Sequence, residues 1–207
     1  KLNQMAVLVR AGFQMRIFDE RFMQLGLPFR VIGGPRFYER QEIRDALAYF
    51  RVIAQSNDDL ALERIINLPK RNIGTVTLQI LHGHARARGV SLYEAILQLV
   101  ETDELKTKVR ETLRRLMGDF ERWRGLMPSM KHTELAGMVL DESGYLPMWQ
   151  EDKKSPDAPG RIENLNELVT GMAEFESLPA FLEHIALVFE TQNSSADDAV
   201  TLMTLHG

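Results

Sequence analysis

The sequence contains no cysteine, which excludes disulfide scaffolds, thiolate metal sites and cysteine nucleophiles together. No apolar run approaches the roughly 18 residues that a membrane-spanning helix needs. The opening segment KLNQMAVLVR has too short an apolar stretch for a secretory signal. The five histidines fall in no metal-binding spacing, and His82 and His84, two apart on an expected helix, point to different faces. No pair of carboxylates stands at a spacing that demands acid–base catalysis. The phosphate-cradling pattern Gly-x-x-x-x-Gly-Lys-Ser/Thr is absent too, so no self-contained ATPase is expected. Neither sign of charge dominates: 25 Lys and Arg against 29 Asp and Glu leave a net charge of −4. That balance argues weakly against nucleic-acid binding, although net charge averages away local patches.

What remains is an ordinary globular composition, 207 residues with 44% hydrophobic and 26% charged, enough for one large domain or two small ones. A soluble intracellular protein is the expectation. Met5–Val9 and Phe29–Ile32 read as short buried strands around a helix over 14–25, whose Ile17, Phe18, Phe22 and Leu25 share helical spacing. Strand, helix, strand is the minimal crossover unit of an α/β sheet. From Glu39 the period is helical, with further helices expected over 60–66, 76–88, 92–100, 105–126, 134–140, 161–175 and 180–189. Ser91 and Ser177 stand where N-caps belong. The stretches 141–147 and 151–160 read as loops, and 199–205 returns to strand character. A last strand needs the sheet begun near the start, so the fold class is mainly α: an incomplete α/β domain of few parallel strands interrupted by a large all-helical insertion, from a longer protein.

Arg10 directly follows the first strand, where ligands of open α/β sheets gather, and an arginine there can fork onto a phosphate; a surface arginine is the plain alternative. The loop Lys70-Arg71-Asn72-Ile73-Gly74-Thr75 joins two helices and suits a DNA phosphate, since Asn and Gly tolerate positive φ and let amides converge on an anion; a plain connection is the alternative. Ser143, Gly144 and Tyr145 offer a second such loop. Lys106, Lys108, Arg110, Arg114, Arg115, Arg122 and Arg124 give one helix a basic excess, most simply a solvated face. Trp123 and Trp149 suit core packing better than base stacking.

Several segments in order resemble the UvrD/PcrA/Rep branch of superfamily 1 DNA helicases. Ala6-Val-Leu-Val-Arg-Ala-Gly-Phe-Gln-Met-Arg16 is similar to helicase motif IV, and Gly33–Tyr49 to the adjoining block with its Phe-Tyr-Glu-Arg-x-Glu-Ile core. Asn57-Asp-Asp-Leu60, Asn67–Gly74 and Arg161-Ile-Glu-Asn-Leu-Asn-Glu-Leu168 continue the order, and Asp198–Gly207 resembles the start of motif V. The resemblance implies a RecA-like domain, 2A, over 1–102 and 198–207, and a helical subdomain, 2B, over 103–197. It implies that Arg10 contacts the ATP γ-phosphate, that Thr204 and His206 touch single-stranded DNA, and that Lys70, Arg71, Gly74, Thr75, Ser143, Gly144 and Tyr145 meet duplex DNA. ATP and Mg²⁺ are implied for the full-length enzyme, held with the remaining helicase domains, and neither is expected on these residues alone. No membrane partner is implied, and the location is the bacterial cytoplasm at the nucleoid. Val9 stands where the family usually has an adenine-stacking aromatic, and Asn72 where it has glycine. A non-catalytic nucleic-acid-binding or protein-interaction module of helicase ancestry is the competing reading.

Overall fold

The computed structural model describes residues 1–191 and 198–205. In order, the elements are β1 (Ala6–Val9), α1 (Met15–Gln24), β2 (Phe29–Ile32), α2 (Gln41–Ala54), α3 (Asp59–Ile65), α4 (Thr75–Arg88), α5 (Leu92–Leu99), α6 (Thr107–Leu126), α7 (His132–Glu142), α8 (Tyr145–Glu151), α9 (Ala158–Met172), α10 (Leu178–Thr191) and β3 (Val200–Thr204). Contacts divide the chain into two compact units, Lys1–Arg44 with Trp149–Gly207, and Asp45–Met148. The boundaries fall inside α2 and α8, whereas the expected division lay at Asp103 and Asp197, the latter outside the described residues. Helices α9 and α10 group with the sheet.

In the first unit the three strands form a parallel sheet in the order β1-β3-β2. The register pairs Val9 with Thr204 and Ile32 with Met203. The central strand contributes buried Val200, Thr201 and Leu202, as expected of a parallel strand flanked on both sides. Val9, Met15 and Leu202 form a small core, with Val7, Phe18 and Val31 packed against it. Alternation puts Leu8 and Ile32 on the opposite face, where they are 55% and 43% exposed.

Helix α1 departs from the apolar stripe read in its sequence. Ile17 and Leu25 are exposed, while Arg16, Asp19 and Glu20 are buried. For Arg16 and Glu20 the reason is pairing, because buried charges are tolerated when neutralised. Arg16 bonds Glu20 at 2.8 Å, Glu167 at 2.7 Å and Glu174 at 3.2 Å. Burial opposes its charge, but the bond from Glu167 and the charge of Glu20 outweigh this and hold Arg16 above its ordinary pKa. Those two α9-side carboxylates explain why α9 belongs with the sheet unit.

The second unit is a helical cluster around Trp123, Phe120, Tyr49, Tyr145, Leu62 and Ile65, all buried. Its ends are capped from the sequence: Asp58 accepts the Ala61 N–H at 3.0 Å, and Ser91 accepts the Glu94 N–H at 3.2 Å. Gly89 ends α4 at φ 65°, the left-handed position glycine fills without strain. The α6 arginines serve carbonyls at helix ends. Arg124 donates to Val52 and Ile53 at 3.0 and 3.1 Å, Arg110 to Thr102 at 2.7 Å, and Arg114 to Val100. A cation on orphan C-terminal carbonyls satisfies both hydrogen bonding and the helix dipole.

Candidate nucleic-acid and phosphate interfaces

Arg10 leaves the carboxyl end of β1 as an exposed side chain. The turn beneath it is fixed locally, since the Gln14 Oε1 accepts the N–H groups of both Arg10 and Ala11 at 3.0 Å. Val9 pairs with Thr204, and the Leu205 N–H donates to the Val9 carbonyl at 3.1 Å. Arg10 and half-buried Thr204 therefore share one edge of the sheet. His206 lies outside the described residues. Val9 is 6% exposed and belongs to the core, so this side chain offers no ring-like surface to a base.

A cavity of about 530 Å³ opens at the same edge, lined by Gly12, Gly33, Gly34, Arg40, Asn164 and Thr204 among others. Four of the lining residues, Arg40, Asn164, Glu42 and Arg161, form a hydrogen-bonded chain. Arg40 donates to the Gly12 carbonyl at 3.0 Å and to the Asn164 Oδ1 at 2.7 Å. Asn164 in turn donates to Glu42 at 2.6 Å, and Arg161 donates to Glu42 at 3.1 Å. Burial lowers the pKa of Arg40, with Glu42 and Asp19 opposing the shift. Behind it, burial pushes the Asp19 carboxyl up to about 6, against the pull of the Phe37 N–H, Arg40 and Arg36.

In the second unit the two loops expected to meet duplex DNA lie against each other. The Arg71 guanidinium donates to Ile65 at 2.9 Å, Leu68 at 2.8 Å, the Tyr49 hydroxyl at 2.8 Å and the Ser143 carbonyl at 3.1 Å. A Cβ on Gly144, at φ +79°, would lie 3.6 Å from Pro69. Asn72 takes the left-handed conformation at φ 59°. The amides of Arg71 and Ile73 are satisfied by the Asn67 Oδ1 at 2.8 and 3.2 Å, so the expected convergence of loop amides on an anion is not what this loop provides. What it leaves outward is Lys70, Gly74 and Thr75, all exposed. Gly74 caps α4 with no side-chain bond, and Gly74, Thr75 and Val76 at the start of this 14-residue helix are exposed. Tyr145 is fully buried, its hydroxyl on Asp45 at 2.9 Å. Arg71 and Tyr145 thus brace the loops, while Lys70, Gly74, Thr75 and half-buried Ser143 and Gly144 form their surface.

Of the basic residues read on α6, Lys106, Lys108, Arg114, Arg115 and Arg122 are exposed and Arg110 and Arg124 half-buried; Arg110, Arg114 and Arg124 reach carbonyls at helix ends, and Arg122 joins Trp123 on Glu142, each at 2.7 Å. Those bonds hold Glu142 below its usual pKa, the Trp123 N–H first. Trp123 is core, and Arg161 lies over the Trp149 ring at 4.6 Å. Sequence reasoning passed over Gln14, Arg40, Asp19 and Asn164; Gln14, Arg40 and Asn164 sit within segments that carry the resemblance, which was their available signal.

The UvrD-like helicase C-terminal domain family matches residues 1–207. A probable DNA helicase II homolog of Rickettsia conorii is 46% identical over 206 residues, covering 99% of this chain and 31% of that protein. DNA helicase II of Escherichia coli is 38% identical over 215 residues, with 99% and 30% covered. The ATP-dependent DNA helicase PcrA of Bacillus subtilis is 33% identical over 219 residues, with 100% and 29% covered. The chain thus spans about three-tenths of the length of these relatives.

Proposed function

The chain belongs to the UvrD-like helicase C-terminal domain family, and from that premise we propose that it forms part of an ATP-dependent DNA helicase. Residues 1–102 and 198–207 would contribute to its 2A domain and 103–197 to its 2B subdomain. DNA, as single strand and as duplex junction, is the partner, and repair or replication in the bacterial cytoplasm, at the nucleoid, the setting. The sequence has no phosphate loop. These residues do not fit an ATP–Mg²⁺ site of their own; the other helicase domains would supply it, and the 207-residue chain alone turns over no ATP.

One observation supports the reading best: Arg10 and Thr204 emerge side by side at the carboxyl edge of the sheet. The resemblance assigns Arg10 to the ATP γ-phosphate, where a guanidinium offsets charge developing in phosphoryl transfer. The same register favours a second reading, in which Arg10 holds a phosphate of the single strand beside Thr204. Arg10→Ala in a full-length protein separates them. A fall of roughly 10²-fold in kcat for ATP hydrolysis marks the first, and a severalfold rise in the DNA concentration for half-maximal stimulation marks the second. A variant unchanged in both makes Arg10 structural.

The exposed start of α4 with Lys70 is the duplex contact in this reading. Glutamate at Thr75 tests it without harming the fold, because a carboxylate at a helix N-terminus is stabilising by about 0.3–1 kcal/mol yet repels phosphate. Thr75→Glu should keep or raise the unfolding midpoint and impair unwinding more than single-strand-stimulated ATP hydrolysis. Equal losses in both activities would count against this assignment.

A further inference from the structure

We infer that Arg40 and Asn164 are positioning residues for the loop that carries Arg10, so that α9 sets where this arginine stands at the sheet edge. The inference rests on the reading of Arg10 as a phosphate contact. The loop from Arg10 to Gln14 is held at two points. At one, Gln14 gathers the amides of Arg10 and Ala11 at 3.0 Å. At the other, the Arg40 fork grips the Gly12 carbonyl at 3.0 Å and the Met15 sulfur at 3.7 Å. The fit is close, since a Cβ on Gly12 would lie 3.0 Å from the Arg40 Nη1.

Arg40 cannot choose its own position. Its Nη1 donates to Asn164 at 2.7 Å, and Asn164 is 7% exposed. An arginine only donates and a carboxylate only accepts, so Asn164 has one possible orientation, oxygen to Arg40 and nitrogen to Glu42. An amide is the one side chain of this size that bridges the two without leaving a buried donor or acceptor unpaired. The chain of bonds from α9 to the Arg10 loop is therefore directional. A displacement of about 1 Å in a contact of this kind can cost up to about 10²-fold, which gives such a chain functional leverage. Lysine at position 40 would keep the charge but lacks the planar fork needed to hold Gly12 and Asn164 together.

The test is a double-mutant cycle on single-strand-stimulated ATP hydrolysis by a full-length protein, with Arg10→Ala, Arg40→Lys, Asn164→Leu and the doubles Arg10→Ala/Arg40→Lys and Arg10→Ala/Asn164→Leu. If Arg40 and Asn164 act through the loop, each single variant moves the same parameter as Arg10→Ala, kcat or half-saturating DNA, by roughly 3- to 30-fold. Added to Arg10→Ala, each then costs less than about twofold more. Effects that multiply in the doubles, or single variants that lower only the unfolding midpoint, overturn the inference while leaving Arg10 as a phosphate contact. An unaffected Arg10→Ala sinks the phosphate reading itself and the inference with it. Arg40→Lys keeps the cycle decisive if Asn164→Leu fails to fold.

Discussion

At the scale of single residues, the buried groups of α1 decide how the sheet unit responds to pH. Asp19 is 1% exposed; its Oδ2 accepts the Phe37 N–H at 2.9 Å, whereas its Oδ1 has no hydrogen-bond partner. Burial raises its carboxyl from 3.8 to about 6. The unfolded chain therefore releases this proton near pH 3.8 while the folded chain keeps it to about pH 6. Asp19 withdraws stability as pH rises through that window, and the whole penalty remains above it. Asparagine removes the titration and keeps an oxygen for Phe37. The stability of Asp19→Asn relative to the native chain should rise on the order of 1–3 kcal/mol between about pH 4 and pH 7, read from urea midpoints. A difference independent of pH would mean that the carboxyl titrates normally in the fold.

At the scale of elements, identical substitutions in two helices should act with opposite sign. Gly118 lies in the exposed face of α6, where an added Cβ meets nothing within 4 Å. Gly118→Ala should therefore gain close to the full helix-propensity difference, about 1 kcal/mol. In α9, a Cβ on Gly171 would lie 2.7 Å from the Arg16 guanidinium, which three carboxylates hold in place. Overpacking of a fixed neighbour costs roughly 1–3 kcal/mol, so Gly171→Ala should destabilise despite the same propensity gain. Thermal unfolding of the pair checks both signs, and a stabilised Gly171→Ala would show Arg16 to be adaptable. Local pattern was enough to find β2, α2 and the Ser91 cap. It missed α8 because Gly144-Tyr-Leu-Pro147 reads as a turn, although proline costs no hydrogen bond in a first turn. The same tolerance lets α9 begin at Ala158 with Pro159 and Gly160 inside it. Periodicity read only part of the inward face of α1: Phe18 packs on the sheet core, but buried Arg16 was not legible, because two of its three carboxylates lie some 150 residues away in the chain. Arg10 was legible from the end of the first strand, whereas Thr204 was singled out only by the family resemblance. The bracing roles of Arg71 and Tyr145 were not legible, since each depends on carbonyls or carboxylates of other helices.

At the scale of the whole chain, a net charge of −4 means that any grip on duplex DNA is local, and its salt dependence counts the cations involved. Each neutralised phosphate adds about −0.9 to the slope of log K against log salt. Arg71 is spent on carbonyls, as are Arg110, Arg114 and Arg124 of α6, so the α4 surface brings Lys70 and a helix dipole to the phosphates. One or two neutralised phosphates follow, hence a slope of about −1 to −2, with a dissociation constant weaker than roughly 10⁻⁵ M at physiological salt and no sequence preference. Fluorescence anisotropy of a labelled duplex over a range of salt measures this, and Lys70→Glu should flatten the slope by about one unit. A slope steeper than about −3 that survives Lys70→Glu but falls with Lys108→Glu or Arg115→Glu would move the duplex to the exposed side of α6.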